Sequence, residues 1–431
     1  MKIENICVAK LNFGTTFNFE LKTRMKSLAF EKNTVVDKQL SKKEFVQFSL
    51  KGKSPKQKVK LLILRDLWNL DWDIRIGKKK IEVFPPASYD KETIKQAMSI
   101  KREEAINSNK KWIEKHIELA RKNLANGYEV LSSKIEPVIE VCETDKQHAL
   151  FRMYRYYWSS PYSDYVGRRI KLLIRDKALP NRPVIGIAAL GSPIIHIPER
   201  DEFIGWDKAT RTKNLIYTMD AFVIGALPPY NYLLGGKLIS LLLASNEVRK
   251  IYREKYKDKV TIIDKRIANS LVGIFTTSLY GKSSQYNRLK YKDLMLYQPI
   301  GHTKGYGTLH LSDETIQEMV KFLRSKNIEI NHEFGDGPSW VMRVIRTAGD
   351  MLGFDSDFLL RHSFQRSIYF VPLAKNFKQV LNDNAKRPKY YDLSKKDLTD
   401  YWRERWFEKR KLNPDIITKV FDFSPSQFTI E

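Results

Sequence analysis

The fold of this chain is decided by the stretch Asp220-Ala-Phe-Val-Ile-Gly-Ala-Leu-Pro-Pro-Tyr-Asn-Tyr-Leu-Leu-Gly-Gly-Lys237 and by residues 238–256, which follow it. The first eight residues are an apolar run that a double proline ends, which is typical of a buried strand. After Lys237, apolar residues recur near helical spacing, and the final turns are rich in lysine and arginine, as the C-terminus of a helix favours. The stretch therefore predicts a strand, a turn with two adjacent glycines, and a helix.

The Gly235-Gly236-Lys237 turn has two interpretations. Backbone N–H groups at a helix start, together with the helix dipole, can hold an anion; alternatively, the glycines only allow the helix and strand to pack closely. A phosphate-loop ATPase motif is excluded, because it requires glycine and serine or threonine where this chain has Asn231 and Leu238. A Gly-x-Gly-x-x-Gly dinucleotide fingerprint is also absent. The remaining candidate ligand is the pyrophosphate of coenzyme A.

The surrounding sequence predicts an α/β (α+β) protein with three regions. Residues 1–145 form a basic N-terminal region with a β-hairpin around Gly77 and a long, broken helical stretch at 88–126. Residues 146–330 alternate strands with helices, which favours a mixed sheet. The predicted elements of this core are strands at 169–175, 183–195, 221–227 and 271–278 and a short helix at 284–289. Residues 331–431 predict a helix, a strand and a basic aromatic helix, so the sheet has helical flanks on both sides.

The charge of the chain points to a polyanionic partner. Lysine and arginine number 76 against 50 acidic residues, which gives a net charge of +26. Nucleic acid is the first candidate for such a chain, and an anionic membrane surface is the second. The longest apolar stretch, near 233–244, is too short to span a bilayer, and no signal-peptide pattern is visible. We therefore predict a cytoplasmic protein that binds DNA or RNA and no membrane.

No metal site is predicted. Cys7 and Cys142 provide neither a disulfide framework nor a thiolate metal site. The His332-Glu333 pair opens like a zinc-protease motif, but the position of its second histidine holds Asp336.

Two groups of residues are candidates for nucleic-acid binding. One is an aromatic and basic cluster, whose π faces and cations are typical of sites that hold unpaired or flipped bases; an aromatic core with a charged rim is the alternative. Its members are Arg155, Tyr156, Tyr157, Trp158, Arg168 and Arg169. The other is His302 and Lys304, which lie on a glycine-rich stretch that could approach a phosphate backbone closely.

Three residues are candidates for acid–base catalysis. Asp220 begins the central strand, and Tyr286 lies in the predicted short helix. Asp201 follows Arg200 in a turn that also contains His196 and Glu199, and a turn after a strand is where functional loops often lie. The alternatives are that Asp220 only ends a strand, that Tyr286 belongs to the core, and that the turn is a surface ion-pair cluster.

Several segments together resemble the DruA family, which is named from the Druantia anti-phage defence systems of bacteria. They are Phe151-Arg-Met-Tyr-Arg-Tyr-Tyr-Trp158, Ile185-Gly-Ile-Ala-Ala-Leu-Gly-Ser-Pro193, Arg200-Asp-Glu-Phe-Ile-Gly-Trp206, Arg211-Thr-Lys-Asn-Leu215 and Gly301-His-Thr-Lys-Gly-Tyr-Gly307. The resemblance covers roughly residues 151–326. It implies a role in phage defence or on a mobile element, and it favours functional roles for Arg200 in binding nucleic acid and for Asp201 in catalysis. Compact members carry Tyr-His-Tyr-Leu-Gly where this chain has residues 154–158, so no role of that histidine is carried over.

The order of elements is also similar to that of GNAT acyltransferases. In these enzymes a central strand splays before a glycine turn and a helix that holds the coenzyme A pyrophosphate. The resemblance implies that Ala226 and Leu227 end the splayed strand and that Gly235, Gly236 and Lys237 bind an acyl-coenzyme A. Tyr286 would then protonate the leaving thiolate.

Two classes of function remain open from the sequence. The first is a nucleic-acid-binding defence protein of the DruA type that could also transfer an acyl group to DNA or RNA. The second is a non-catalytic DNA-binding subunit that recruits a helicase or nuclease, or an accessory protein of recombination or transposition.

Overall fold

The computed structural model describes residues 50–76, 80–160, 167–260, 265–330 and 338–430. Cys7, Gly77, His332, Glu333 and Asp336 lie outside these residues. The strands are β1 (Asp73–Ile76), β2 (Ile81–Phe84), β3 (Pro137–Val141), β4 (Arg169–Asp176), β5 (Val184–Gly191), β6 (Thr218–Ala226), β7 (Gly273–Thr277), β8 (Lys290–Tyr291), β9 (Leu294–Met295), β10 (Gln298–His302) and β11 (Ser367–Pro372).

The helices flank these strands along the whole described chain. They are α1 (Pro55–Trp68), α2 (Lys91–Ser108), α3 (Lys110–Arg121), α4 (Gly127–Ser132), α5 (Asp145–Tyr156), α6 (Pro198–Ile204), α7 (Lys208–Asn214), α8 (Gly235–Leu243), α9 (Asn246–Tyr256), α10 (Asp313–Arg324), α11 (Pro338–Leu352), α12 (Ser356–Leu359), α13 (Phe377–Leu381), α14 (Lys395–Trp402), α15 (Glu408–Arg410) and α16 (Pro414–Phe421). Within the described ranges, no helix is both long enough and apolar enough to cross a membrane.

The centre of the fold is a seven-stranded mixed sheet. Its strand order is β10-β11-β7-β6-β5-β4-β3, and all neighbours are antiparallel except β6 and β7. That parallel pair is short, because it joins only Thr218–Asp220 to Gly273–Phe275. The predicted fold class, an α/β protein with a mixed sheet and helical flanks, is confirmed.

The central strands of the sheet are buried on both faces, which explains why β5 reads as a continuous apolar run. Successive side chains of a strand point to opposite faces. Leu172 accordingly belongs to the hydrophobic cluster that contains α8, and Leu173 belongs to the cluster that contains α5. Every residue of β5 is buried. Gly186 is needed there because a Cβ at this position would lie 2.3 Å from the carbonyl oxygen of Gly225 on β6.

The stretch that opens the sequence analysis folds nearly as predicted. The strand runs over Thr218–Ala226, and a 3₁₀ turn at Tyr230–Leu233 leads to α8 at Gly235. The helix predicted at 238–256 is two helices, because Ser245 ends α8 and its side chain caps α9 by accepting from the Val248 N–H. The short helix predicted at 284–289 is wrong: residues 284–288 form turns, and Arg288 has a φ of 57°, which an α-helix does not accommodate.

The described chain forms two compact units, each built from separate stretches. The smaller unit combines residues 50–104 with 304–365 and contains α1, the β1–β2 hairpin and α10 to α12. The larger unit combines residues 105–303 with 366–430 and contains the seven-stranded sheet. The chain therefore leaves the larger unit after β10 and returns to it just before β11.

Inside the smaller unit, a buried ion pair ties α1 to the start of α10. Arg65 donates to Asp66 at 2.9 Å and to Glu314 at 2.6 Å, and Asp66 accepts from the Ser312 backbone N–H at 2.8 Å. The two helices are thus held by complementary charges in addition to apolar packing.

Candidate nucleic-acid interface

Most of the predicted aromatic cluster lies in the core of the larger unit. Tyr154 and Tyr156 on α5 are 0% and 2% exposed, and the Tyr154 hydroxyl donates to the Ala120 carbonyl on α3. Arg155 is also buried, and its guanidinium donates to the backbone and side-chain oxygens of Ser160. The predicted base-binding role of Arg155 and Tyr156 is therefore corrected: α5 packs this face between α3 and the sheet.

Tyr157 and Trp158 are half-buried and pack on the protein's own groups. The Tyr157 ring stacks on Phe428 with centroids 5.2 Å apart. Trp158 fills the space beside Gly225, where a Cβ would lie 2.3 Å from the indole ring. Tyr157 and Trp158 therefore fit the alternative of an aromatic core with a charged rim and not that of a stacking platform for bases.

Arg168 and Arg169 are neighbours with different environments. The Arg168 guanidinium donates to the carbonyls of Ile216 and Thr218 at 2.8 and 3.2 Å and also to the Tyr252 hydroxyl, so it fastens α9 to the start of β6. Arg169 is exposed at the first position of β4. Of the two, only Arg169 presents its charge to solvent.

Arg169 belongs to a group of basic residues that we call the basic surface, formed by His148, Arg169, Lys171 and Lys255. These residues come from α5, β4 and α9. Partial burial lowers the pKa of His148, and the charges of Lys171, Lys255 and Arg169 lower it further, against the effect of Asp145. Burial likewise raises the pKa of Cys142 to about 12, and Lys171 and Lys255 are near enough to oppose that shift. The three cations Arg169, Lys171 and Lys255 therefore lie close enough to act as one positive region, and His148 beside them is neutral at pH 7.

The Arg-Asp-x-x-Ile-Gly-Trp element is a buried brace. The Arg200 side chain is fully buried and donates twice to one Asp201 oxygen, at 3.0 and 2.7 Å, while Arg211 donates to the other oxygen at 2.7 Å. Trp206 donates its indole N–H to the Leu381 carbonyl at 2.7 Å. Since Arg200 has no exposed surface for a phosphate and both Asp201 oxygens are engaged by guanidinium groups, the predicted binding and catalytic roles are corrected to structural ones.

The brace holds the loop that follows β5. Arg200 donates to the carbonyls of Ile194 and Ile195, whose side chains are 52% and 69% exposed. Burial lowers the pKa of Arg200, and Asp201 and Asp220 oppose this shift through their negative charges. Asp220 thus belongs to the same buried charge network, on β6 opposite Gly191 and Phe275.

Tyr286 is a core residue. Its ring stacks on Tyr297 with centroids 5.1 Å apart and meets Tyr369 edge-on at 5.4 Å. Complete burial raises the pKa of its hydroxyl. Its predicted role as an acid for a leaving thiolate does not fit this enclosed position.

The glycine turn is covered by a neighbouring segment. A Cβ at Gly235 would lie 2.7 Å from the Tyr230 carbonyl oxygen, and one at Gly236 would lie 2.9 Å from the Gln285 amide oxygen. Lys237 donates to the Ser284 carbonyl at 2.6 Å. The glycines therefore allow close packing, and residues 284–285 stand where an anion would approach.

His302 and Lys304 are both exposed, His302 at the end of β10 and Lys304 in the smaller unit. Gly305, beside Lys304, has a φ of 66°, and a Cβ there would lie 2.6 Å from the Ser363 backbone. This glycine is thus required for packing within its own unit. Among the described residues, no group of three or more His, Cys, Asp or Glu side chains is placed to hold a metal ion.

Comparison with known proteins identifies the family. The family model of the Druantia protein DruA matches residues 88–383. The Druantia protein DruA of Escherichia coli (strain UMEA 4076-1) is 37% identical over 343 residues, which cover 77% of this chain and 84% of that protein. No solved structure matches the chain significantly. Since both matches extend over most of the sequence, the chain belongs to the DruA family and is a DruA-like anti-phage defence protein.

Proposed function

We propose that this DruA-like protein acts in defence by binding nucleic acid through the basic surface. The observation that supports this is the closeness of Arg169, Lys171 and Lys255, whose positive charges converge from β4 and α9 around His148. Cations held close together attract a polyanion, and each phosphate that they neutralise releases counterions. The net charge of +26 acts in the same direction over longer distances.

The test is the salt dependence of binding to duplex DNA and duplex RNA. We expect affinity near 50 mM salt and a slope of log K against log salt on the order of −4 or steeper. The double variant Arg169→Glu/Lys255→Glu should weaken binding and flatten the slope by roughly one unit per lost phosphate contact. Lys386→Glu/Arg387→Glu, at two exposed positions on the segment after α13, makes the same change in net charge, is the matched control and should change the slope little. A flat slope for the unmodified protein, or equal effects of the two variants, would refute the proposal.

The family name supports a protein partner in addition to nucleic acid. Druantia is a defence system with several subunits, so we propose that the DNA-bound protein works beside another subunit such as a helicase or nuclease. Co-purification of the tagged chain with the products of its neighbouring genes tests this, and release of those products by the Arg169→Glu/Lys255→Glu variant would indicate that nucleic acid bridges them.

Acyl transfer from coenzyme A to a nucleic acid is a second candidate, favoured by the parting of β6 and β7. The ladder between these parallel strands ends at Asp220 and Phe275, and a glycine turn and α8 follow β6, as the acyltransferase resemblance implies. The fit of the cofactor is poor, however. The Gln285 side chain donates to the Ile224 carbonyl at 3.4 Å and to Ser240 at 2.8 Å, and it lies against Gly236. A coenzyme would have to displace this segment, so we derive no catalytic step through it.

An assay with labelled acetyl-coenzyme A tests the acyltransferase function. An acyltransferase binds the coenzyme and transfers the label to DNA or RNA, and Gln285→Ala should then bind it more tightly, because a covering side chain is removed. Absence of both binding and transfer for the unmodified protein and for Gln285→Ala would leave a non-catalytic binding subunit.

A further inference from the structure

Three aromatic side chains form a continuous row at the surface of the larger unit, and we call Tyr291, Tyr401 and Trp406 the ring row. Tyr401 meets Tyr291 edge-on with centroids 5.1 Å apart and meets Trp406 edge-on at 5.8 Å. All three rings are partly exposed. They pack against the core on one side, which fixes their positions before any ligand arrives.

Cations accompany each ring of the row. The Arg405 guanidinium carbon lies 5.7 Å from the Tyr401 centroid and 5.3 Å from the Trp406 centroid. The Lys237 ammonium lies 5.4 Å from the Trp406 centroid, and the Lys292 ammonium lies 5.4 Å from the Tyr291 centroid. A planar guanidinium beside aromatic rings is a surface on which a nucleobase can stack, and the lysines supply charge for phosphates.

A π-helical turn presents Arg405 and Trp406 to the outside. It spans Arg403–Phe407 between α14 and α15. In a π-turn, residues five apart face the same side. Trp402 and Phe407 are accordingly both buried, with their rings 5.2 Å apart. Of the residues between them, Glu404 and Arg405 are exposed and Trp406 is partly exposed, while Arg403 fastens the turn by donating to the Ile135 carbonyl at 2.9 Å.

The charges of this region act on one another. Burial lowers the pKa of Lys237, and the positive charge of Arg405 lowers it further. The two cations come from α8 and the π-turn, so the fold itself holds them together. A phosphate between them would relieve this repulsion, because an opposite charge favours the charged form of both groups.

We propose that the ring row binds single-stranded nucleic acid, with a base stacked on Arg405 and a backbone phosphate between Arg405 and Lys237. The substrate is single-stranded because its bases expose their faces, whereas the bases of a duplex are stacked on each other. This proposal rests on the proposed function in so far as the partner is a nucleic acid, but it concerns a second surface and a different form of the partner.

The experiment compares an oligodeoxyadenylate with an abasic oligonucleotide of the same length, which carries the same phosphates and no bases. The unmodified protein should prefer the oligodeoxyadenylate. Arg405→Lys keeps the charge and removes the planar guanidinium, so it should weaken oligodeoxyadenylate binding roughly fivefold or more and leave the abasic affinity nearly unchanged. Arg182→Lys, an exposed arginine between β4 and β5, is the matched control and should change neither affinity.

A second variant guards against a loss of folding. Tyr401→Leu keeps an apolar side chain where the ring packs, and its thermal unfolding is measured beside its binding. It should also lose the preference for bases while its melting temperature remains close to that of the unmodified protein. Equal binding of the two oligonucleotides by the unmodified protein, or an unchanged preference in Arg405→Lys, would overturn the ring-row proposal. If the protein binds neither duplex nor single strand at low salt, the proposed function itself fails.

Discussion

Arg200 shows how one side chain can organise a loop without meeting a ligand. Its guanidinium donates to Asp201 and to two consecutive carbonyls, and its centre lies 5.5 Å from the Trp206 ring and 5.6 Å from the Phe275 ring. Every part of the group is thus used inside the protein. The strongest sequence motif of the chain is for this reason a folding motif, and its specificity reflects the number of partners that one arginine satisfies.

Removing that arginine should cost much of the stability of the larger unit. Arg200→Met leaves Asp201 buried without the guanidinium that donates twice to one of its oxygens, and breaking a buried pair costs about 3–5 kcal/mol. Chemical denaturation followed by circular dichroism measures the free energy of unfolding. Lys213→Met is the control, since Lys213 pairs with Asp383 at 2.6 Å on the surface and such pairs contribute about 0–1 kcal/mol. Similar losses in the two variants would contradict the bracing role.

His310 gives the smaller unit a dependence on pH. It is fully buried, stacks on Trp72 at 5.3 Å and lies 2.7 Å from the Leu359 carbonyl, and burial lowers its pKa from 6.5 to about 3. Below about pH 6.5, the unfolded chain binds a proton at His310 that the folded chain does not bind, and this favours unfolding. The stability that depends on a neutral His310 is therefore complete above about pH 6.5. It is lost progressively as the pH falls toward 3.

We therefore expect the unfolding transition of the smaller unit to move to lower denaturant as the pH falls from 7 to 5. Trp72, which stacks on His310, is a fluorescence probe of this transition. His310→Gln can still donate to Leu359 but does not titrate, so the difference between the two pH values should shrink. An equal shift in the variant and the unmodified protein would place the titrating group elsewhere.

At the scale of single residues, the sequence predicted the chemistry of the site only in part. Arg169 could be selected because it lies in an Arg-Arg pair after an aromatic segment. Lys171 and Lys255 could not, because they approach His148 only when β4, α5 and α9 assemble. Tyr156 was assigned to the surface because its burial depends on α3, which lies well before it in the chain, and local sequence does not report such packing.

Among the elements, the strands were the easiest to predict. β5 and β11 are buried at every position, and β6 and β7 at nearly every one, so their sequences are mostly apolar, whereas β4 carries Arg169, Lys171 and Arg175 between its apolar residues. The break between α8 and α9 was missed because the apolar spacing continues across it. The sequence signal of this break is Ser245, because serine favours the N-cap position just before a helix. The strand order required tertiary information, since β11 inserts between β7 and β10.

Gly225 allows the closest contact between β6 and Trp158, the residue that follows α5 and Tyr157. Gly225→Ala would place a methyl group 2.3 Å from the indole ring, and such overpacking costs about 1–3 kcal/mol. We expect a lower melting temperature for this variant and its partial recovery in Gly225→Ala/Trp158→Leu, where the smaller side chain leaves room. Gly52→Ala is not a suitable control because Gly52 has a φ of 73°. The control is instead Ala178→Gly, which exchanges the same two residue types at an exposed site. A Gly225→Ala protein as stable as the unmodified one would show that the ring can move away freely.

The whole molecule carries a charge that opposes its own folding. The positive charges behind the net charge of +26 repel one another in the compact state. At 0.1 M salt, this repulsion is largely screened between charges more than about 10 Å apart. We expect added sodium chloride to raise the melting temperature while it weakens nucleic-acid binding. Opposite slopes of the two quantities, measured on the same samples, are the expected result. A melting temperature that falls with salt would indicate that attractive surface ion pairs such as Lys213–Asp383 dominate the salt-dependent part of the electrostatic free energy.

The return of the chain between β10 and β11 has a consequence for how such proteins change during evolution. These two strands pair His302 with Ser367 directly at the sheet, although residues 304–365 lie between them and belong to the other unit. Once the ends of an insertion are adjacent, doubling its length costs only about 0.6 kcal/mol of closure entropy. The junction after β10 is therefore a position where an inserted module can become longer or shorter or be replaced during evolution, while β10 and β11 remain paired. Relatives of this chain should differ most in length at this point, and strand pairing should keep the two ends of every such insertion in register.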